Sequence, residues 1–146
     1  MKRNQSLFSL ILMVGVLSSP LAAGAQEFTV IVNATNPVAS MPRDDVAKLF
    51  LKKTVAWQSG QAVSPVELPA AAKAREAFAH TVLNKSIAQV KSYWQQQIFS
   101  GRDVPPPEKQ SENDVVAFVR SNPGAIGYVS KGADIGRGVK ALSVAP

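Results

Sequence analysis

Lys73 and Arg75 stand two positions apart at the start of a predicted helix, after Leu68-Pro69-Ala70-Ala71-Ala72. From Leu68 to Arg75 there is no Ser, Thr, Asp or Asn to cap that helix, so its first N–H groups lack a side-chain acceptor. Two cations near the first turn also oppose the helix dipole. An external oxyanion would relieve both conditions, which makes Lys73 and Arg75 the first candidate binding residues. The plainer account is a water-capped helix start with two solvated cations. A second candidate is the polar turn Asn33-Ala34-Thr35-Asn36-Pro37 with Ser40 beyond it. Asn36 and Ser40 could donate to a polar ligand at the carboxyl end of a strand, where α/β sheets usually bind. Turn and capping chemistry is the simpler role for such residues.

Other constellations carry less. His80 is the only histidine and there is no cysteine, so neither a zinc site nor a disulfide is expected. A Ser-His-Asp hydrolase would need a reactive serine, and no Gly-x-Ser-x-Gly elbow is present. His80 reads as a partly exposed surface residue. Glu67 and Glu76 could be cast as a carboxylate pair, but nothing in the sequence fixes their separation. No catalytic residue, metal or cofactor is therefore assigned. Trp57, Tyr93, Trp94 and Tyr128 could form a stacking platform, although aromatics at helical or strand spacing more often pack. Trp94, in line with Ile87, Val90 and Ile98, reads as core, whereas Tyr128 after Gly127 is left without an assignment. Pro105-Pro106-Pro107 with Lys109 could be a recognition strip; a stiff connector is simpler.

Several short elements position these residues. Phe28 to Val32 is a β-branched run and reads as a strand. Ser40 is expected to cap a helix bearing Val46, Leu49 and Phe50, with Asp44 and Asp45 in its first turn. Ala62 to Leu68 reads as a short strand, and Ala71 to Leu83 as a helix with Ala74, Ala77, Phe78, Thr81 and Val82 at helical spacing. Ser86 caps a helix that stops at Ser100-Gly101. Ser111 and Asp114 make a capping pair for a last helix through Val115, Val116 and Val119. Ala125 to Val129 and Val139 to Val144 read as strands. The alternation argues for an α/β domain.

Residues 1–25 are set aside as a cleaved secretory leader: Lys2 and Arg3, the apolar run Leu7 to Leu17, then Ala23-Gly24-Ala25 before Gln26. The run is shorter than the roughly 20 residues a membrane span needs. Residues 26–146 make one domain, and a Gram-negative periplasm is the expected destination. The formal charge is +6 for the whole chain, and Lys2 and Arg3 leave with the leader. The remaining cations are scattered rather than striped with aromatics, so a nucleic-acid partner is not expected.

An ordered set of segments resembles the phosphate-transport substrate-binding proteins. It comprises Val46-Ala47-Lys48-Leu49-Phe50-Leu51-Lys52-Lys53 with Trp57, then Phe78, Trp94, Phe99-Ser100-Gly101-Arg102 with prolines beyond, and Pro123-Gly124-Ala125-Ile126-Gly127-Tyr128. The chain is most similar to a short, single-lobe branch of that ABC transporter family. The resemblance implies one lobe of a type II periplasmic binding protein-like α/β fold, a mixed sheet flanked by about four helices. It also implies a non-catalytic role in uptake of inorganic phosphate or a related oxyanion, with a membrane permease, a sensor or a second copy of the chain as partner. The family's lobe normally carries a Ser-Gly-Thr loop and an Arg around the anion. The equivalent stretch here, Leu68 to Arg75, has no Ser, Thr or Gly. The competing expectation is accordingly a periplasmic protein-interaction or sensory module that keeps the fold and has lost the anion site.

Overall fold

The computed structural model describes residues 27–146, so the expected leader and its cleavage point lie outside the described residues. Phe28–Asn33 forms β1, whose β-branched and aromatic residues suit a central strand. It sits in a four-stranded sheet ordered β3-β4-β1-β5, with β3 at Ser64–Pro65, β4 at Ala125–Ser130 and β5 at Val139–Ala141. Both β4 and β5 run antiparallel to β1, while β3 runs parallel to β4. The expected α/β domain, a mixed sheet flanked by four helices, is what forms.

Register decides what each face of the sheet carries. Val30 pairs with Tyr128, and Ile31 with Gly127. Side chains alternate along a strand, so Phe28, Val30 and Tyr128 share one face while Ile31, Asn33 and Gly127 share the other. On the first face Tyr128 stacks on Phe78, with ring centroids 4.1 Å apart and planes 8° from parallel. Phe28 meets Phe78 edge-on at 5.4 Å. Phe50, the last residue of α1 (Arg43–Phe50), packs against Phe78, the last residue of α2 (Lys73–Phe78). Tyr128 is thus core.

On the second face α4 (Glu112–Ser121) lays Val115 and Val119 across Gly127. A Cβ on Gly127 would come within 2.8 Å of Val115 Cγ1, so glycine is what lets the helix sit this close. Asn33 fastens the same helix at its end: its Nδ2 donates to the carbonyl oxygens of Val119 and Arg120, both at 2.9 Å. Those are orphan carbonyls of a helix C-terminus, and a buried amide satisfies them.

The expected caps form where the capping residue directly precedes its helix. Ser86 Oγ accepts from the Gln89 N–H at the start of α3 (Ile87–Phe99), and Gln89 Oε1 accepts from the Ser86 N–H. Ser111 Oγ accepts from the Asp114 N–H. Ser40 departs from expectation. It begins β2 (Ser40–Pro42), which pairs in parallel with β6 (Ser143–Ala145), and α1 starts after Pro42 with no side-chain cap. Pro42, with φ −57° and no N–H to satisfy, occupies the cap position instead.

Three other elements differ in extent. The single strand read over Val139 to Val144 divides at buried Leu142, whose N–H goes to Val30 O while that of Ser143 goes to Ala39 O. The chain thereby leaves one sheet for the other. The helix read over Ala71 to Leu83 is α2 followed by a π-helical turn, Ala79–Leu83, closed by left-handed Asn84. The strand read over Ala62 to Leu68 pairs with β4 only at Ser64–Pro65, and Glu67 beyond it bridges to Glu108.

Candidate functional site

Glu67 occupies a position that an isolated carboxylate could not hold. It follows Val66 and precedes Leu68, both buried, and is itself only 2% exposed. Its backbone is held by the proline connector, with Glu67 N–H donating to Pro107 O at 3.0 Å and Lys109 N–H to Glu67 O at 2.8 Å. The connector is therefore a pairing partner as well as a spacer. Arg75, 6% exposed, arrives from α2 and sets its Nη2 2.8 Å from Glu67 Oε2. Its Nη1 donates to Leu68 O at 2.6 Å and lies 3.6 Å from Glu108 Oε1. The Glu67–Arg75 contact is an ion pair whose angles fall short of an aligned hydrogen bond, for Glu67 Oε2 has no hydrogen-bond partner among the described residues. The Tyr128 hydroxyl is buried beside the same guanidinium and the Leu68 backbone.

Burial raises the Glu67 carboxyl from its usual range to about 7, more than the attraction of Arg75 lowers it, and Glu108 pushes the same way as burial. The Tyr128 phenol is raised too, first by burial and then by the charge of Glu67. The carboxylate pair of Glu67 and Glu76, whose separation the sequence left unfixed, does not form: Glu76 is exposed and the carboxylate beside Glu67 is Glu108. The legible signal was a lone acid within the apolar run Val63 to Leu68, which demands a buried cation.

The four residues expected to touch an anion do not converge. Asn36 and Ser40 line one cavity of about 320 Å3, with Pro37, Trp57, Gln58 and Ser59. Lys73 lines another, of about 320 Å3, beside Glu27, Glu76 and His80. Arg75 points inward to Glu67, so the picture of two solvated cations at this helix start holds for exposed Lys73 and fails for Arg75. Asn36 is itself buried, and its Oδ1 accepts from the Val38 N–H in an ordinary turn. Trp57 is pinned by its Nε1–H, which donates to Gly124 O at 3.0 Å. His80 is exposed, as expected. Among the described residues no group of acids and histidines could hold a metal ion.

Neither a known family model nor a curated protein matches the chain. Solved structures do. The fold aligns with an ABC-type phosphate transport receptor from Vibrio cholerae at TM-score 0.61 and 20% identity, over 80% of this chain and 45% of that one. In fold, the chain is like the phosphate-transport receptors. A putative phosphate ABC transporter substrate-binding protein with bound phosphate from Clostridium perfringens aligns at TM-score 0.62 and 20% identity, over 81% and 44% of the two chains. PstS from Borrelia burgdorferi aligns at 0.63 and 16% identity, over 81% and 47%. This chain spans less than half the length of each receptor, and the resemblance read from its motifs points to the same family.

Proposed function

We propose that the chain is a periplasmic, single-lobe, non-catalytic binding protein for phosphate or a related oxyanion, acting alongside ABC-type transport and exported by cleavage of residues 1–25. The observation that carries this reading is the fold likeness to phosphate receptors across four-fifths of the chain. The cavity of Asn36 and Ser40 is the better of the candidate anion sites. It lies beyond the carboxyl end of β1, its Ser40, Gln58 and Ser59 side chains are neutral donors, and Asn36 Nδ2 makes no hydrogen bond within the described residues. Lys73 and Arg75 are weaker candidates, since acids accompany both. A lobe alone leaves its ligand half open to water, so tight capture calls for a second surface, from a permease, a sensor or a second copy.

One observation favours the other reading, a module that keeps the fold without the anion site and binds an envelope protein. Arg75, the strongest cation in the stretch equivalent to the family's anion loop, is already neutralised by Glu67. Calorimetric titration and thermal melting with phosphate, sulfate and molybdate separate the two. Binding that stabilises the chain by several degrees at millimolar anion, and weakens in Ser40→Ala, supports the oxyanion reading. Flat titrations with all three anions sink it in favour of the module.

A further inference from the structure

We propose, resting on the oxyanion reading of the Asn36 and Ser40 cavity, that its ligand is a singly charged oxyanion bearing an apolar group, such as an organic sulfonate. That cavity is one arm of a trough between residues 36–42 and 54–59. The two arms, of about 320 Å3 and 270 Å3, share Val38, Ser40, Trp57 and Gln58. Together they fall in the size range of pockets for organic molecules. A bare sulfate or phosphate ion, five heavy atoms in all, would fill only part of one arm.

The first arm sets the ligand's polar head. Asn36 lines it and is only 4% exposed. Its Oδ1 is taken by the Val38 N–H at 2.9 Å, while its Nδ2 donates to none of the described residues and is not sealed from water. The turn thus holds a donor fixed at the cavity floor, where an incoming oxygen can accept from it. Ser40, Gln58 and Ser59 add neutral donors. Among the described residues no Lys or Arg lines this arm. The charges of the second arm, Asp45 and Lys48, are 2.7 Å apart and offset each other. A site of neutral donors accommodates one negative charge spread over several oxygens more readily than two, because no cation offsets the desolvation.

The second arm sets the ligand's body. Met41, Pro42, Leu49 and Ala56 give it an apolar wall. Leu49 is already buried, but Met41 is half-buried and Pro42 and Ala56 are exposed, so an apolar group there removes surface from water. Trp57 lines both arms and is fixed by its Nε1–H on Gly124 O at 3.0 Å, so the wall joining head and body is already in place.

The test is calorimetric titration of the chain with benzenesulfonate, methanesulfonate, sulfate and phosphate. Benzenesulfonate should bind at least about tenfold more tightly than methanesulfonate, since burying part of a phenyl ring is worth that factor. Sulfate and phosphate should bind no more tightly than methanesulfonate. Asn36→Asp keeps the acceptor for the Val38 N–H and replaces the open donor with a carboxylate oxygen, so benzenesulfonate should weaken at least about tenfold. Ala56→Glu, at an exposed position of the second arm, should weaken it by a similar factor by setting a charge against the ring. Equal affinity for the two sulfonates, or tighter binding of sulfate or phosphate, overturns the proposal and leaves the oxyanion reading standing. No binding of any of the four at millimolar concentration sinks both. Unchanged benzenesulfonate affinity in either variant also overturns the proposal, and if one variant fails to melt cooperatively the other decides.

Discussion

Glu67 Oε2 and Arg75 Nη2 lie 2.8 Å apart, and both side chains are almost entirely removed from water. Taking two charges out of water is costly, and their mutual attraction offsets the cost only while both are present. Arg75→Met should therefore lower stability by about 3–5 kcal/mol in urea unfolding at pH 8, where Glu67 is ionised and the variant strands a buried carboxylate. Adding Glu67→Leu to it should restore most of the loss. A single variant within about 1 kcal/mol of wild type, where exposed pairs fall, would show that the pair is not buried in solution.

The same carboxyl makes stability depend on pH. Its value in the folded chain is raised from 4.5 to about 7, so between those values the folded protein keeps a proton that the unfolded chain has lost. The native state binds more protons there, and stability must fall as pH rises through that window. The contribution is fully present below pH 4.5 and gone above about 7. Its size is at most on the order of 3 kcal/mol. Glu67→Gln should flatten this slope when unfolding is compared at pH 5 and pH 8. A slope identical to that of wild type would mean another group carries it.

Close approach to glycine fixes two contacts of the core. A side chain at Gly124 would overlap the carbonyl oxygen of Ala62, and one at Gly127 would press on Val115 and Val66. Both alanine variants should lose about 1–3 kcal/mol, as overpacked sites do. Gly124→Ala should be the worse, because its obstacle is backbone and its own carbonyl anchors Trp57. Melting temperatures of the two, with Trp57 emission as a local report, would check the order.

Two serines expected to cap helices offer a direct contrast. Ser86→Ala removes a formed capping box and should cost about 1 kcal/mol. Ser40→Ala removes no cap and should stay within about 0.5 kcal/mol of wild type. Equal losses in chemical unfolding would mean that Ser40 caps α1 after all.

These cases separate what adjacent residues decide from what chain closure decides. Ser86 with Gln89, and Ser111 with Asp114, were legible because a cap and its N–H lie within one turn. Trp94 was legible as core because its stripe repeats at helical spacing. Ser40 was misread because its backbone is claimed by Ser143, far along the chain. The partner of Glu67 was not legible for the same kind of reason. Proximity in sequence said nothing of which face of α2 turns inward, and Arg75 takes that place.

The sequence by itself determined the main helices and strands, the Ser86 and Ser111 caps, the apolar stripes and the motifs that resemble phosphate receptors, since each depends on neighbours within a few residues. The tertiary structure decided the rest. It put Tyr128 against Phe78, split the last strand at Leu142 and joined Glu67 to Arg75. It also parted Asn36 and Ser40 from Lys73 and Arg75. The physical reason is burial. A charge must find its partner wherever water is excluded, and only the packing of distant segments determines where that is.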